Sequence, residues 1–359
     1  MKKLIYILLA ILLLTICYVL DSDAVSSGTY MVIEAGGGDY TSVVSAEAGL
    51  QDTLISTVTI NISGTWTNPE GNILWSGWQT FSTAPIIVQT LGSARHTGKW
   101  TTTAHRFDAE MENSLFDIFG GCDHIYLAGL QMRNRYQGIY TAQTLKFDST
   151  VKGRETYVSN CLIAGSTSYT GVNLLYESAT TSSSRFKKVF YNNIFFCGNM
   201  LDYLYQVNGS TEAWYNNTFS SMSAGLAIFS ASGQRNMMLY VKNNVSNNCG
   251  TCYTISKDWS GGIYSTSTNV SSDASSPNTE YRNQNASFVS SFTYTGTLDF
   301  HLLATDTTCY AKGRNLSNDP IMPFNIDIDG ETRPTNWSIG ADDIPTAAAK
   351  KKKRVGRYY

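Results

Sequence analysis

The residues with the most chemical potential in this sequence are basic and aromatic, and they crowd into one stretch. Lys152 and Arg154, then Arg185, Lys187 and Lys188, lie shortly before two similar segments, Val158-Ser-Asn160-Cys-Leu162 and Phe190-Tyr-Asn192-Asn-Ile194. If the two segments stack, the cations form one patch, and such a patch suits an anionic polymer. Glu155 and Asp148 stand nearby as oxygen ligands for an ion such as Ca²⁺. A solvated charged loop explains the same residues without any ligand.

Tyrosines give a second chemistry. Tyr191 and Tyr215 each directly precede an Asn that recurs in the repeat described below, and Tyr157 lies close by. Exposed aromatic rings pack against sugar rings while their hydroxyls pair with sugar hydroxyls. A loop covering the rings would be the plain alternative. Other signals are thin. Asp123, Asp148, Glu155, Asp202 and Glu212 could supply the acid and base of an inverting glycosidase, which needs two carboxyls about 6.5 to 9.5 Å apart, but spacing brings no two of them together. His96, His105, His124 and His301 show no metal spacing, so no metal ligand is assigned. A nucleophile elbow, a phosphate loop and a dinucleotide motif are all missing. Cys249-Gly-Thr-Cys252 has the spacing of a redox or metal pair, yet no second pair accompanies it. A local disulfide or two buried thiols is the plainer reading.

The elements that must hold these residues are repeats. Val158-Ser-Asn160-Cys-Leu162, Phe190-Tyr-Asn192-Asn-Ile194, Trp214-Tyr-Asn216-Asn-Thr218 and Val241-Lys-Asn243-Asn-Val245 share an apolar residue two before an anchor Asn and an apolar or β-branched one two after it. Period two predicts short strands with one face inward. The anchors recur after 32, 24 and 27 residues, which predicts a solenoid with loops of varied length. Ile125 to Met132 reads as one more coil. Stacked Asn residues about 4.8 Å apart would form an amide ladder, so they are structural. In that register Cys161 and Cys197, and Cys197 and Cys249, should not be bridged.

Gly121-Cys-Asp-His-Ile125-Tyr-Leu-Ala-Gly129-Leu130-Gln and the Asn-centred coils resemble the right-handed parallel β-helix of the pectin-lyase-like superfamily. Leu298-Asp-Phe300-His-Leu302, Asp327-Ile-Asp329-Gly330-Glu-Thr-Arg333-Pro334 and Trp337-Ser-Ile339-Gly340-Ala341-Asp342 are similar to the closing coils of exported bacterial members, and Ser93-Ala-Arg95-His96-Thr-Gly98-Lys-Trp100 resembles uncharacterised ones. The resemblance spans roughly Tyr30 to Asp343. It implies an all-β, right-handed parallel β-helix with a short N-terminal capping helix at Tyr40 to Leu50. The scaffold hosts lyases, hydrolases, adhesins and phage tailspikes, so the fold does not fix the function. The Asp-bearing coil motifs of its glycosidases do not occur here. A polysaccharide lyase would use Lys152, Arg154 and Lys187 as base and charge neutraliser on a uronate polymer, with Ca²⁺ as the cofactor.

Composition agrees with a solenoid. The 359 residues include 39 Ser, 39 Thr and 26 Asn, and only 15% are charged, which disfavours helical bundles. The net charge of -2 conceals a cationic leader and tail. Eight of the 26 basic residues are Lys2, Lys3, Lys350 to Lys353, Arg354 and Arg357. Without them, and without Asp21 and Asp23, 18 basic residues face 26 acidic ones, a body of about -8 that makes nucleic acid a poor partner. Met1-Lys2-Lys3, the uncharged run Leu4 to Leu20 and small residues up to Ala24 predict a signal peptide over 1–24, or a membrane anchor if it is uncleaved. The β-helix domain then spans 25–345, and 346–359 is a basic, disordered tail. The leading expectation is an exported, non-catalytic protein that binds polysaccharide or cell-surface glycan through Tyr157, Tyr191 and Tyr215 at a cell or virion surface. The lyase is the first alternative, and a tailspike-like structural protein the second.

Overall fold

The computed structural model describes residues 28–51, 56–119, 121–137, 142–148, 155–166, 172–178, 186–200, 202–204, 209–230, 237–255, 262–290 and 298–344. The leader at 1–24, the tail at 346–359 and the cations Lys152, Arg154 and Arg185 lie outside them.

The chain winds into a parallel β-solenoid of three sheets. The first has nine strands in chain order, from Gly28–Ile33 through Ile86–Thr90, His124–Ala128, Glu155–Ser159, Lys187–Tyr191, Thr211–Tyr215 and Met238–Lys242 to Ile263–Ser267. The second runs in seven strands from Phe107–Ala109 to Val270–Ser271, and the third has eight. Val158 pairs with Phe190, Phe190 with Trp214 and Trp214 with Val241, while Leu162, Ile194, Thr218 and Val245 pair in turn. This is the register that the repeat predicts.

A two-residue corner joins the first sheet to the second, and its first residue is in the left-handed region. Asn160, Asn192, Asn216, Asn243 and Thr268 occupy it with φ between 52° and 56°, and Gly129 with φ 74°. Asn and Gly tolerate that conformation better than other residues. The anchor Asn is therefore there for its backbone. The continuous ladder belongs to the next residue. Asn193, Asn217, Asn244 and Asn269 each donate from Nδ2 to the Oδ1 of the next amide at 2.9 to 3.1 Å, the last to Asn278. Each Oδ1 also accepts the backbone N–H of the preceding rung, beginning with Cys161 at 2.9 Å. The amide ladder is thus present but one residue later than the anchor.

Inside, Val88, Leu127, Val158, Phe190, Trp214 and Val241 form one fully buried row. The helix spans Val43–Leu50, within the predicted segment, with Ser42 and Ser45 forming a capping box. Its Val43, Ala46 and Leu50 share the core with Trp66, Trp75 and Trp78 of the first coils. The Glu70 carboxylate accepts the Val43 and Val44 N–H groups at its positive end. Among the described residues no disulfide joins Cys122, Cys161, Cys197, Cys249, Cys252 or Cys309.

From Phe288 onward the chain leaves the solenoid and straps back over it. Phe288, Phe300, Ile328 and Ile339 pack on the outer face of the second sheet against Leu162, Ile194 and Phe196. Leu316, Phe324 and Trp337 pack on the first sheet against Val189, Tyr191, Ala213 and Tyr215.

Candidate functional site

Alternation along the first sheet sends positions one, three and five of each strand outward. His124, Glu155 and Lys187 form one outward column, Ile87, Tyr126 and Tyr157 a second, and Gln89, Ala128, Ser159, Tyr191 and Tyr215 a third. Where the strap ends, a groove of about 190 Å³ opens over the second and third columns, floored by Tyr126, Tyr157 and Ser159 and walled by Gln89, Tyr191 and Met322 of the strap.

The aromatic floor is held rigidly. Tyr126 and Tyr157 meet edge to face, 4.6 Å apart. Tyr157 donates its hydroxyl to Glu155 Oε1 at 2.6 Å, and Lys187 Nζ donates to the Tyr157 oxygen at 2.5 Å and to Glu155 at 3.3 Å. His124 Nδ1 lies 3.8 Å from the other carboxylate oxygen. Burial, reinforced by the Glu155 charge, pushes Tyr126 up to about 12, and burial with the Glu155 hydrogen bond raises Tyr157 further. Both phenols therefore stay neutral. Burial outweighs Glu155 at His124 and lowers it, which favours a neutral ring. Gln89 Nε2 is fixed by Asn61 at 2.8 Å, leaving its buried Oε1 without a partner in the groove wall.

The predicted residues divide. Tyr157, Tyr191, Lys187 and Glu155 do come together. Tyr191 and Tyr215 pair in register, but both are covered. Tyr215 is 0% exposed, donates to Asp319 at 3.1 Å and stacks with Phe324, so it has no face for a sugar. Tyr191, 8% exposed, lies 5.0 Å from the Phe324 ring and offers only an edge to the groove. Lys188 does not join a surface patch either, because it points inward and is 0% exposed, its ammonium 4.5 Å from the Phe186 ring. Asp148 ends a strand of the third sheet, Ala142–Asp148, whereas Glu155 opens one of the first. Glu155 is already engaged by Lys187 and Tyr157. Tyr126 and Gln89 were missed. Their signal was the alignment of upstream coils, in which Tyr126 stacks on Tyr157.

One convergence escaped the sequence entirely. Ligand atoms of His301, Asp329 and Asp342 lie within 4.8 Å of one another, one drawn from each of the three closing segments. His301 is already bonded to Asp299 at 2.5 Å and to Asp329 at 2.8 Å. Burial opposes its charge, but the hydrogen bond and charge of Asp329, helped by Asp342 and Asp299, raise it to about 10. As an imidazolium it supplies the cation that these carboxylates need, so the cluster locks the strap.

No family model matches this chain, and no curated protein matches it. Among solved structures, it is similar to two crystal structures of the pectin methylesterase from Aspergillus niger, one of the deglycosylated protein and one of the protein retaining an N-acetylglucosamine stub. The identities are 13% and 14% and the TM-scores 0.36 and 0.31, with 76% of this chain and 93% of the other aligned in each case. A likeness that distant assigns no chemistry to this groove.

Proposed function

We propose that the groove of the first sheet holds one unit of a polysaccharide chain, as a binding site and not a reaction centre, in a protein exported by the leader at 1–24. The observation that carries this reading is the partly exposed Tyr126 and Tyr157 floor beside a half-exposed ammonium. Lys187 has three N–H bonds and spends two on Glu155 and Tyr157. The third is left for a sugar hydroxyl or carboxylate. At about 190 Å³ the groove is smaller than the roughly 300 to 1,000 Å³ of a pocket that encloses a small molecule. It suits a ring within a polymer that continues across the surface. Chemistry on that ring has less support, since Glu155 is the one carboxyl among the described residues of the outward column beside the groove.

Isothermal titration against a panel of neutral and acidic oligosaccharides tests the reading. Binding should weaken at least tenfold, about 1.4 kcal/mol, in Tyr157→Ala and in Tyr126→Ala. Unchanged affinity in both variants refutes it. Release of unsaturated uronate, followed by ultraviolet absorbance and abolished in Lys187→Ala, would replace it with the lyase.

A further inference from the structure

The segment Cys249-Gly-Thr-Cys252 joins the strand Val245–Asn247 of the second sheet to Thr251–Ile255 of the third. Asn248 turns the corner with φ 54°. Gly250 then passes so close to the previous coil that a Cβ would lie 2.6 Å from the Ser223 carbonyl oxygen. This tight passage brings both sulfurs against Ser246. Its hydroxyl donates to Cys249 Sγ at 3.5 Å, and the Cys252 thiol donates to its carbonyl at 3.2 Å. The Cys249 thiol donates to Asn247 O at 3.5 Å. Cys252 is 0% exposed, whereas Cys249 is partly exposed. One sulfur is thus reachable from solvent and the other waits behind it.

We propose that Cys249 and Cys252 form a thiol–disulfide exchange site, at which a small organic disulfide is reduced and the pair closes into an intrachain disulfide. The partnership also prepares the sulfurs. The neighbouring Cys249 thiol, with help from Ser272 and Ser246, holds Cys252 down to about 6 against its burial, while Cys249 is pushed up by Cys252 and by burial. Cys252 is thus the more acidic sulfur of the pair and Cys249 the less acidic one.

The exchange balances in two displacements. Cys249 gives its proton to water, and its thiolate bonds to one sulfur of the reagent. The reagent's S–S bond breaks, and the departing thiolate takes a proton from water. Cys252 then gives its proton to water and bonds to Cys249 Sγ, expelling the second thiolate, which is protonated in turn. Two protein thiols are oxidised to one disulfide, and one reagent disulfide is reduced to two thiols. The bond would fasten the last strand of the third sheet. Among the described residues beyond that strand, Asp273 and Ser275 accept the N–H groups of Cys252 and Tyr253.

The full-length chain, reduced and then equilibrated with glutathione at graded ratios of disulfide to thiol, tests the proposal by acid quenching, alkylation after unfolding and peptide mass analysis. The peptide holding Cys249 and Cys252 should lose both alkylations as the ratio rises, while Cys122, Cys161, Cys197 and Cys309 keep theirs. Cys252→Ser should accumulate a glutathione adduct on Cys249, and Cys249→Ser should stay unmodified at the buried Cys252. Full alkylation of both residues at the most oxidising ratio overturns the proposal. So does oxidation of the buried cysteines at the same ratio as the pair, because that marks unfolding and not a site.

Discussion

Asn217 occupies the middle of a file of amides and shows how much one residue carries in a solenoid. Its oxygen accepts the backbone and side-chain N–H groups of Asn193, and its nitrogen donates to Phe190 O and to Asn244 Oδ1. Asn217→Ala would leave buried partners unsatisfied on both neighbouring coils. It should cost about 3 to 5 kcal/mol in chemical denaturation. His96 makes the matching case for charge. It is fully buried, lies 2.8 Å from Asn160 O through Nε2 and accepts the Gly98 N–H on Nδ1, so it is neutral. Burial, with Arg95 nearby, lowers it to about 3. A depressed histidine stabilises the fold above its unfolded value of about 6.5, and that contribution is lost as pH falls towards 3. The full loss is on the order of 4 kcal/mol. Denaturation midpoints taken between pH 7 and pH 4 should therefore fall less steeply in His96→Gln than in the native chain. At this scale the sequence was legible through backbone chemistry. The recurring Asn announced the repeat, but each segment was read as one strand, whereas the Asn turns the corner between two, and the ladder runs through its neighbour, because the direction of a side chain depends on the left-handed residue before it.

Among the elements, the strap from Asp299 to Ile344 decides what the sheets can show. Arg333 is its fastener, donating to Asn192 Oδ1 at 2.9 Å, to Gly340 O at 3.0 Å and Ala341 O at 2.8 Å, and pairing with Asp343 at 3.2 Å. Arg333→Met strands a buried carboxylate and three acceptors, and should cost about 3 to 5 kcal/mol. Arg333→Lys should restore little of it, since one ammonium cannot span the same fork. Limited proteolysis checks both, with cleavage appearing first within the strap. The fate of Tyr215 follows from the same element. Period two correctly turned it outward, but its cover, Asp319 and Phe324, lies more than 100 residues downstream. Local pattern cannot reveal a contact of that separation. Tyr157 was read correctly, and Tyr126, although missed, was within reach, because its partner is on the adjacent coil.

For the whole molecule, the scarcity of charged residues and the wealth of amides and hydroxyls have a structural cause. Corners take Asn, strands take Thr and Tyr, and helix is confined to Val43–Leu50 apart from two short 3-10 turns among the described residues. Each coil contacts mainly its neighbours, so stability should be graded along the axis. Hydrogen exchange should be slowest in Lys187–Tyr191 and Thr211–Tyr215, which have a coil on each side and the strap above. It should be faster in Gly28–Ile33 and Ile263–Ser267, at the two ends of the first sheet. Uniform protection would mean that the solenoid opens as one unit.

Met322 closes the wall of the groove, yet it comes from the strap, whereas the floor comes from Tyr126 and Tyr157. On the ribosome the floor is therefore made long before its wall. A message cut short after the last coil would yield a solenoid that stacks its strands but holds no bounded site. The making of the strap, and not the folding of the coils, is when this groove first becomes bounded.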